Sequence, residues 1–205
     1  LGNFGSFDPE LKKQEISGLV HTSKRDAEVW QEFNSDWNGL VLEAKELREK
    51  LAGKAVGEDS RQFELNIPQG ESEQEVAAKA RIHQTFFRTA ILSSYEQTCC
   101  ITGLRVVECL VASHIVPWSV SAEHRTDPRN GLCLSATFDR LFDRGLITLG
   151  PDLDVRVSGR LRKVRDKRVD EMVCSFHGAP IIRPRRFVPK QDYLDWHRSH
   201  VFCDE

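Results

Sequence analysis

CCITGLRVVECLVASHIVPWSVSAEHRTDPRNGLCLSATFDRLFDRGLITL, residues 99–149, is the stretch whose reading decides the fold. Thr102-Gly103 is a turn between two strand-like runs, Thr98 to Ile101 and Arg105 to Ser113. The β-rich part of the second run, Val106 to His114, ends in a single histidine, and Pro117-Trp118 stops its extension. A polar loop over 119–129 leads to Asn130-Gly131, a turn signal, and then to the apolar run Leu132-Cys133-Leu134. Thr137 or Ser135 can cap a short helix carrying Asp139, Leu141, Phe142 and Asp143, and Gly145 closes it.

Strand, loop, strand and helix in this order bring a histidine, a carboxamide and two carboxylates to one place. Phosphodiester hydrolysis asks for such a set. Water must lose a proton as it attacks phosphorus, and a histidine near its natural pKa suits that task. Charge on the phosphorane and on the departing oxygen must be neutralised, which suits one divalent cation held by carboxylate or imidazole. An amide can pin the loop that aims the base. Taken singly, His114 reads as a structural residue of a β run, Asn130-Gly131 as a turn, and Asp139 with Asp143 as a solvated helix face. Their order and spacing together favour the site.

The segments SHIVPW (113–118), DPRNGLCLS (127–135) and FDRLFDRGLI (138–147) resemble the HNH nuclease motif, the ββα-metal fold, and most of all its restriction-type branch. The resemblance is strong over about 50 residues, and weaker over the preceding RIHQTFFRTAILSSYEQTCCITG and the closing YLDWHRSHVF. It implies that His114 is the general base and that Asn130 orders the loop between the strands. Where many members carry a histidine on the helix, this chain has Phe138-Asp139. If Phe138 takes that position, a metal ligand is lost. If Asp139 takes it, the site becomes His-Asn-Asp, suited to Mg²⁺ or Mn²⁺ through oxygen ligation. The distance to LFDRGLI favours Asp139. Ser113 stands where relatives place a metal ligand, and Asp143 is either a second ligand or a cap on the Arg144-Gly145 turn.

The rest of the chain gives an α+β expectation: a helical N-terminal region and linker over 1–70, then a nuclease domain over 71–205 with core motif 98–150. A short helix is expected from Pro9 to Ile16. Ser23 caps a long helix from about Arg25 to Ala52, whose seam of Trp30, Phe33, Trp37, Leu40, Val41, Ala44, Leu47 and Leu51 repeats at three and four. One seam needs a partner, either the chain's own core or a second copy in a homodimer. Gly53 to Gly70 reads as a linker with a short strand at Phe63 to Ile67, and a second helix runs from Glu71 to about Tyr95. On it Arg81, Gln84 and Arg88 form either a phosphate-facing row or a solvated face. Downstream, Leu146–Leu149 and Val155–Val157 form a hairpin, Lys167–Cys174 a short helix, Ile181–Val188 an extended segment and Lys190–Val201 a last helix.

Charge is uneven. Residues 1–80 hold 10 Lys and Arg against 16 Asp and Glu, whereas 81–205 hold 19 against 15. The late basic excess, with Arg144, Arg160, Arg162, Lys163 and Arg198, fits a phosphate-facing surface, so DNA is the expected partner. His197 and His200 have three readings: phosphate contact, support of the site, or packing of the last helix. His124 is a candidate neighbour of the scissile phosphate. The six cysteines form no CxxC pair, which argues for reduced thiols and against structural Zn²⁺. No apolar run is long enough to span a bilayer, and no signal peptide opens the chain, so a cytoplasmic location is expected. The first residue is Leu1 rather than Met, which implies that something precedes it. The expectation is a metal-dependent HNH endonuclease acting on DNA in restriction or phage defence. The rival is a catalytically silent module of the same fold that binds nucleic acid or a partner.

Overall fold

The computed structural model describes residues 22–52, 71–121 and 123–204, with single positions 6, 7, 9 and 12. The linker with its strand at Phe63–Ile67, and all but isolated residues of the helix at Pro9–Ile16, lie outside them. Among the described residues the chain is α+β, with seven α-helices and two antiparallel ribbons of two strands each. The residues group into two units: 1–87 with 125–127, and 88–124 with 128–205, so that the division falls inside one helix.

In the first unit the seam of apolar residues is carried by two helices instead of one: α1 (Lys24–Phe33) and α2 (Trp37–Ala52). Asn34-Ser35-Asp36 explains the break. Asn34 caps the end of α1, its N–H bonding to the Trp30 carbonyl at 2.9 Å. Asp36 Oδ1 then accepts from the Gly39 N–H at 2.9 Å and starts α2. Periodicity cannot reveal such a break, because Phe33 and Trp37 remain four apart across it. Ser23 caps α1 as expected, in a reciprocal capping box with Asp26. Trp37 and Val41 are buried, and the Trp37 ring lies 6.2 Å from that of Phe86. Thr126 Oγ1 donates to Asn38 Oδ1 at 2.6 Å.

Helix α3 (Glu71–Ser94) forms where the second helix is expected. The second unit then departs from the strand reading at two points. Thr98–Ile101 is no strand: Glu96 and Gln97 adopt left-handed backbone angles, and the chain enters a turn. Val107–Cys109 is a 3-10 turn, which leaves β1 only Leu110–His114. Arg88 is held by the protein itself. Its guanidinium donates to the Leu110 carbonyl at 2.8 Å and saturates the start of β1.

Strand β1 pairs antiparallel with β2 (Gly131–Ser135), in the register Ser113 to Leu132 and His114 to Gly131. All five β2 residues are buried, so β2 is the centre of this core. Helix α4 (Ala136–Asp143) follows without a loop and packs on β1 and β2. Gly145, at φ +66°, turns the chain into the expected hairpin of β3 (Ile147–Leu149) and β4 (Val155–Val157). Three further helices complete the unit: α5 (Gly159–Arg162), for which the sequence carries no periodic signal, α6 (Lys167–Met172) and α7 (Gln191–His200). The short helix expected to Cys174 stops at Met172 and passes into a 3-10 turn over Cys174–Phe176.

Candidate functional site

His114 is the last residue of β1 and is half-buried. Its cross-strand partner is Gly131, which places no side chain opposite the imidazole. The ring stands edge-to-face with Trp118, centroids 5.7 Å apart and planes at 84°. The sequence marks Trp118 only as part of a strand terminator.

The loop that follows is gathered by Asn130. Its Oδ1 accepts from the Val116 N–H at 2.8 Å, and its Nδ2 donates to the carbonyls of Val116 and of His124, each at 3.1 Å. Its own carbonyl accepts from the Ile115 N–H at 2.9 Å. Asn130 is 1% exposed. A carboxamide suits this place because two carbonyls each need a donor and one N–H needs an acceptor, and only Asn or Gln offers two donors and an acceptor in one group.

The acids sit on one side of α4. Ser135 occupies the N-cap position, although its side chain makes no capping bond. Phe138 and Phe142 face inward, buried against Phe176 and His197, with ring centroids 5.4 and 3.7 Å away. Asp139 and Asp143, four apart, therefore share another face. Burial raises the Asp139 carboxyl above its ordinary pKa, against the pull of Ser113 and Arg140. Burial also raises Asp143, and the neighbouring Asp139 charge adds to this, against Arg140 and Arg144. Ser113 is 2% exposed, and its Oγ has no hydrogen bond of full geometry. It lies close enough to Asp139 to favour the charged carboxylate all the same. The structure thus sets Asp139 beside Ser113 and one helical turn from Asp143, and puts Phe138 in the core.

This trio fits a hard divalent cation. It offers oxygen only, it has two carboxylates that repel each other, and it holds a buried hydroxyl lacking a partner of full geometry. Among the described residues no group of three or more His, Cys, Asp and Glu side chains is arranged to hold a metal, so any cation here must keep several waters. The sequence names all three oxygens as candidates and favours Asp139 over Phe138 from the distance to LFDRGLI; the structure buries Phe138 in the core.

Of the basic candidates, Arg144, Arg160 and Lys163 are exposed. Arg162 is exposed and lies 3.8 Å from Asp204. Arg198 is only 21% exposed at its side chain and is committed internally: it donates to the Leu149 carbonyl at 2.6 Å and pairs with Asp195. His197 belongs to packing. It is buried, its Nε2 lies 3.1 Å from the Phe142 carbonyl, and its Nδ1 lies 2.9 Å from Thr148 Oγ1. A carbonyl only accepts, so Nε2 carries the proton and Nδ1 accepts from the threonine. Burial lowers its pKa to about 4. All six cysteines are free thiols.

The site is thus a short antiparallel ribbon running directly into a helix, with a histidine at the strand end and acids on the helix. Residues 99–150, about a quarter of the chain, match the family described as HNH endonuclease (HNH_2). No curated protein matches the chain. Among solved structures, a modification-dependent TagI restriction endonuclease aligns at 18% identity and a TM-score of 0.38. That alignment covers 54% of this chain and 35% of that one, about a third of that protein.

Proposed function

We propose that the chain is a metal-dependent endonuclease that hydrolyses DNA phosphodiester bonds, with His114 as the general base, Asn130 as the residue that positions its loop, and Ser113, Asp139 and Asp143 as the metal ligands. The observation that carries this reading is the convergence of Ser113 and Asp139 beside a strand end whose histidine faces a glycine. In the reaction His114 takes the proton of the attacking water, a P–O bond forms to that oxygen, and the P–O3′ bond breaks with its electron pair leaving on O3′. Ser113, Asp139 and Asp143 would hold Mg²⁺ or Mn²⁺, which would supply positive charge to the reacting phosphate. Exposed Arg144, Arg160, Arg162 and Lys163 hold the backbone, which positions the duplex without reading its sequence.

A role in restriction or phage defence and a cytoplasmic location extend the same reading, on the strength of the sequence resemblance. A homodimer through the 25–52 region extends it too. Its support is that Leu47 and Leu51 on α2 are 50% and 86% exposed, and the test is a monomer–dimer shift in Leu47→Glu/Leu51→Glu. No helix among the described residues is long and apolar enough to cross a membrane.

Plasmid nicking tests the enzyme. Cleavage with Mg²⁺ or Mn²⁺ that EDTA and His114→Ala both abolish is expected. The second reading, a silent DNA-binding module, draws on the weakness of a serine hydroxyl as a ligand at position 113. Tight duplex binding without cleavage in any divalent metal would establish it instead.

A further inference from the structure

Helix α4 is eight residues long, and its last residue, Asp143, is one of the proposed metal carboxylates. Helices this short are marginal without outside support, and the carbonyls of the last turn have no partner inside the helix. Support comes from His197 on α7. Its Nε2 donates to the Phe142 carbonyl at 3.1 Å, and the Gly145 N–H donates to the same oxygen at 2.9 Å. The His197 ring lies flat on the Phe142 ring, with centroids 3.7 Å apart and planes at 13°. One side chain thus holds both the backbone and the ring of the residue before Asp143.

His197 is itself anchored. Its Nδ1 accepts from Thr148 Oγ1 at 2.9 Å, and Arg198 donates to the Leu149 carbonyl at 2.6 Å. Consecutive residues of α7 are therefore tied to consecutive residues of β3. The His197 carbonyl accepts from the Val201 and Phe202 N–H groups, each at 3.0 Å, and the Cys203 N–H then donates to the Gly145 carbonyl at 2.9 Å. The chain leaving α7 thus folds back onto the turn that follows Asp143. His197 and Thr148 are both buried, so solvent does not compete for these bonds.

From this we infer that His197 is a positioning residue for the metal site: by capping the Phe142 carbonyl from α7 it holds the last turn of α4 and sets the place of the Asp143 carboxylate relative to Asp139. A helix end that frays by one turn keeps Asp139 and loses Asp143, so the site would give up a ligand while the fold persists. An imidazole suits the task, because one edge donates, the other accepts, and the ring between them is rigid. The inference rests on the metal-site reading above and adds to it the group that fixes one of the ligands.

Mn²⁺ binding to the full chain, titrated by electron paramagnetic resonance without DNA, provides the test. His197→Leu keeps most of the volume and removes the donor. It should bind Mn²⁺ about tenfold more weakly and lose at least as much in kcat, with KM for duplex little changed. His197→Gln, whose amide still donates, should recover most of the Mn²⁺ affinity. In EDTA the Arg144 and Gly145 N–H groups should exchange faster in His197→Leu, while those of β2 should not. A cycle with Asp143→Asn reports the route: in that background His197→Leu should weaken Mn²⁺ binding by less than about twofold more. Thr148→Val removes the hydroxyl that holds Nδ1, should weaken Mn²⁺ binding in the same direction, and decides the matter if His197→Leu has no cooperative melt. Wild-type Mn²⁺ affinity in folded His197→Leu, or in Thr148→Val where the leucine variant is unfolded, overturns the inference and leaves the nuclease reading standing. Full additivity with Asp143→Asn does the same. A wild type that binds Mn²⁺ but cleaves no duplex overturns the nuclease reading, and the Mn²⁺ titrations still decide this inference. A wild type that binds no Mn²⁺ overturns both.

Discussion

Asn130 grips both ends of one residue: its Oδ1 takes the Val116 N–H at 2.8 Å while its Nδ2 donates to the Val116 carbonyl at 3.1 Å. Replacing it strands buried backbone groups. Asn130→Ala should cost about 3 kcal/mol, at about 1–3 kcal/mol for each buried group left unpaired. Urea melts measure the loss. Amide exchange at Val116 should rise more than exchange in β3 and β4, and cleavage should fall with it. Equal exchange in both regions would show that the amide does not organise the loop.

Burial and then the Asp139 charge raise the cost of ionising Asp143, and burial raises that of Asp139, the expected sign for a site that waits for a cation. In EDTA, Asp139→Asn should therefore melt higher than wild type, while its cleavage falls at least about 100-fold. Metal should reverse the order. Added Mn²⁺ at about 100 times its Kd should stabilise wild type by about 2.7 kcal/mol and the variant by much less. Equal metal stabilisation of both proteins places the cation elsewhere.

Phe138 sits in the core with its ring edge-on to Phe176 at 5.4 Å. Phe138→Ala should cost about 3–5 kcal/mol, whereas Phe138→Leu keeps most of the volume and should cost less than about 1.5 kcal/mol. The leucine variant should cleave like wild type. A leucine variant that melts like wild type yet is inactive would give Phe138 a part in the chemistry.

His197 ties stability to pH. Its folded pKa, about 4, lies below the ordinary 6.5, so the unfolded chain binds a proton that the folded one refuses. Its contribution is whole above about pH 6.5 and is lost as pH falls toward about 4, amounting to about 3 kcal/mol for a group 1% exposed. Denaturant midpoints between these limits should fall with pH in wild type and flatten in His197→Gln. An identical slope in both proteins would trace the effect to other groups.

Two glycines separate conformation from space. Gly145 has φ +66°, and a Cβ there would come within 1.9 Å of the Val201 carbonyl oxygen, a backbone atom that cannot swing away. Gly103 has φ +73°, but a Cβ would meet only Ile182 Cδ1 at 3.8 Å. Gly145→Ala should cost more than about 3 kcal/mol and Gly103→Ala only about 1 kcal/mol, by thermal or urea unfolding. Equal losses would show that the backbone angle alone decides both.

Local chemistry was legible along the chain. The capping box at Ser23, the hairpin around Gly150–Asp154, the helix from Glu71 and the order of His114, Asn130 and Asp139 all follow from residue type and spacing, because each depends on neighbours within a few positions. Other features did not follow. The break at Asn34–Asp36 kept the seam in register and so left no trace in the period. The strand at Thr98–Ile101 failed because Glu96 and Gln97 turn the backbone left-handed first. Arg88 and Arg198 looked like surface cations, and folding commits them to the carbonyls of Leu110 and Leu149.

The central stretch marks the same boundary. Sequence alone determined that a histidine, an asparagine and two aspartates lie in nuclease order, since chain order and spacing are all that such a pattern requires. The distance to LFDRGLI favoured Asp139 over Phe138, but the physical reason that Asp139 and not Phe138 faces Ser113 came only from tertiary packing. A helix turns about 100° per residue, so two adjacent side chains cannot share a face. Phe176 and the core claim the phenylalanine, which leaves the carboxylate toward the strand that carries Ser113 and His114.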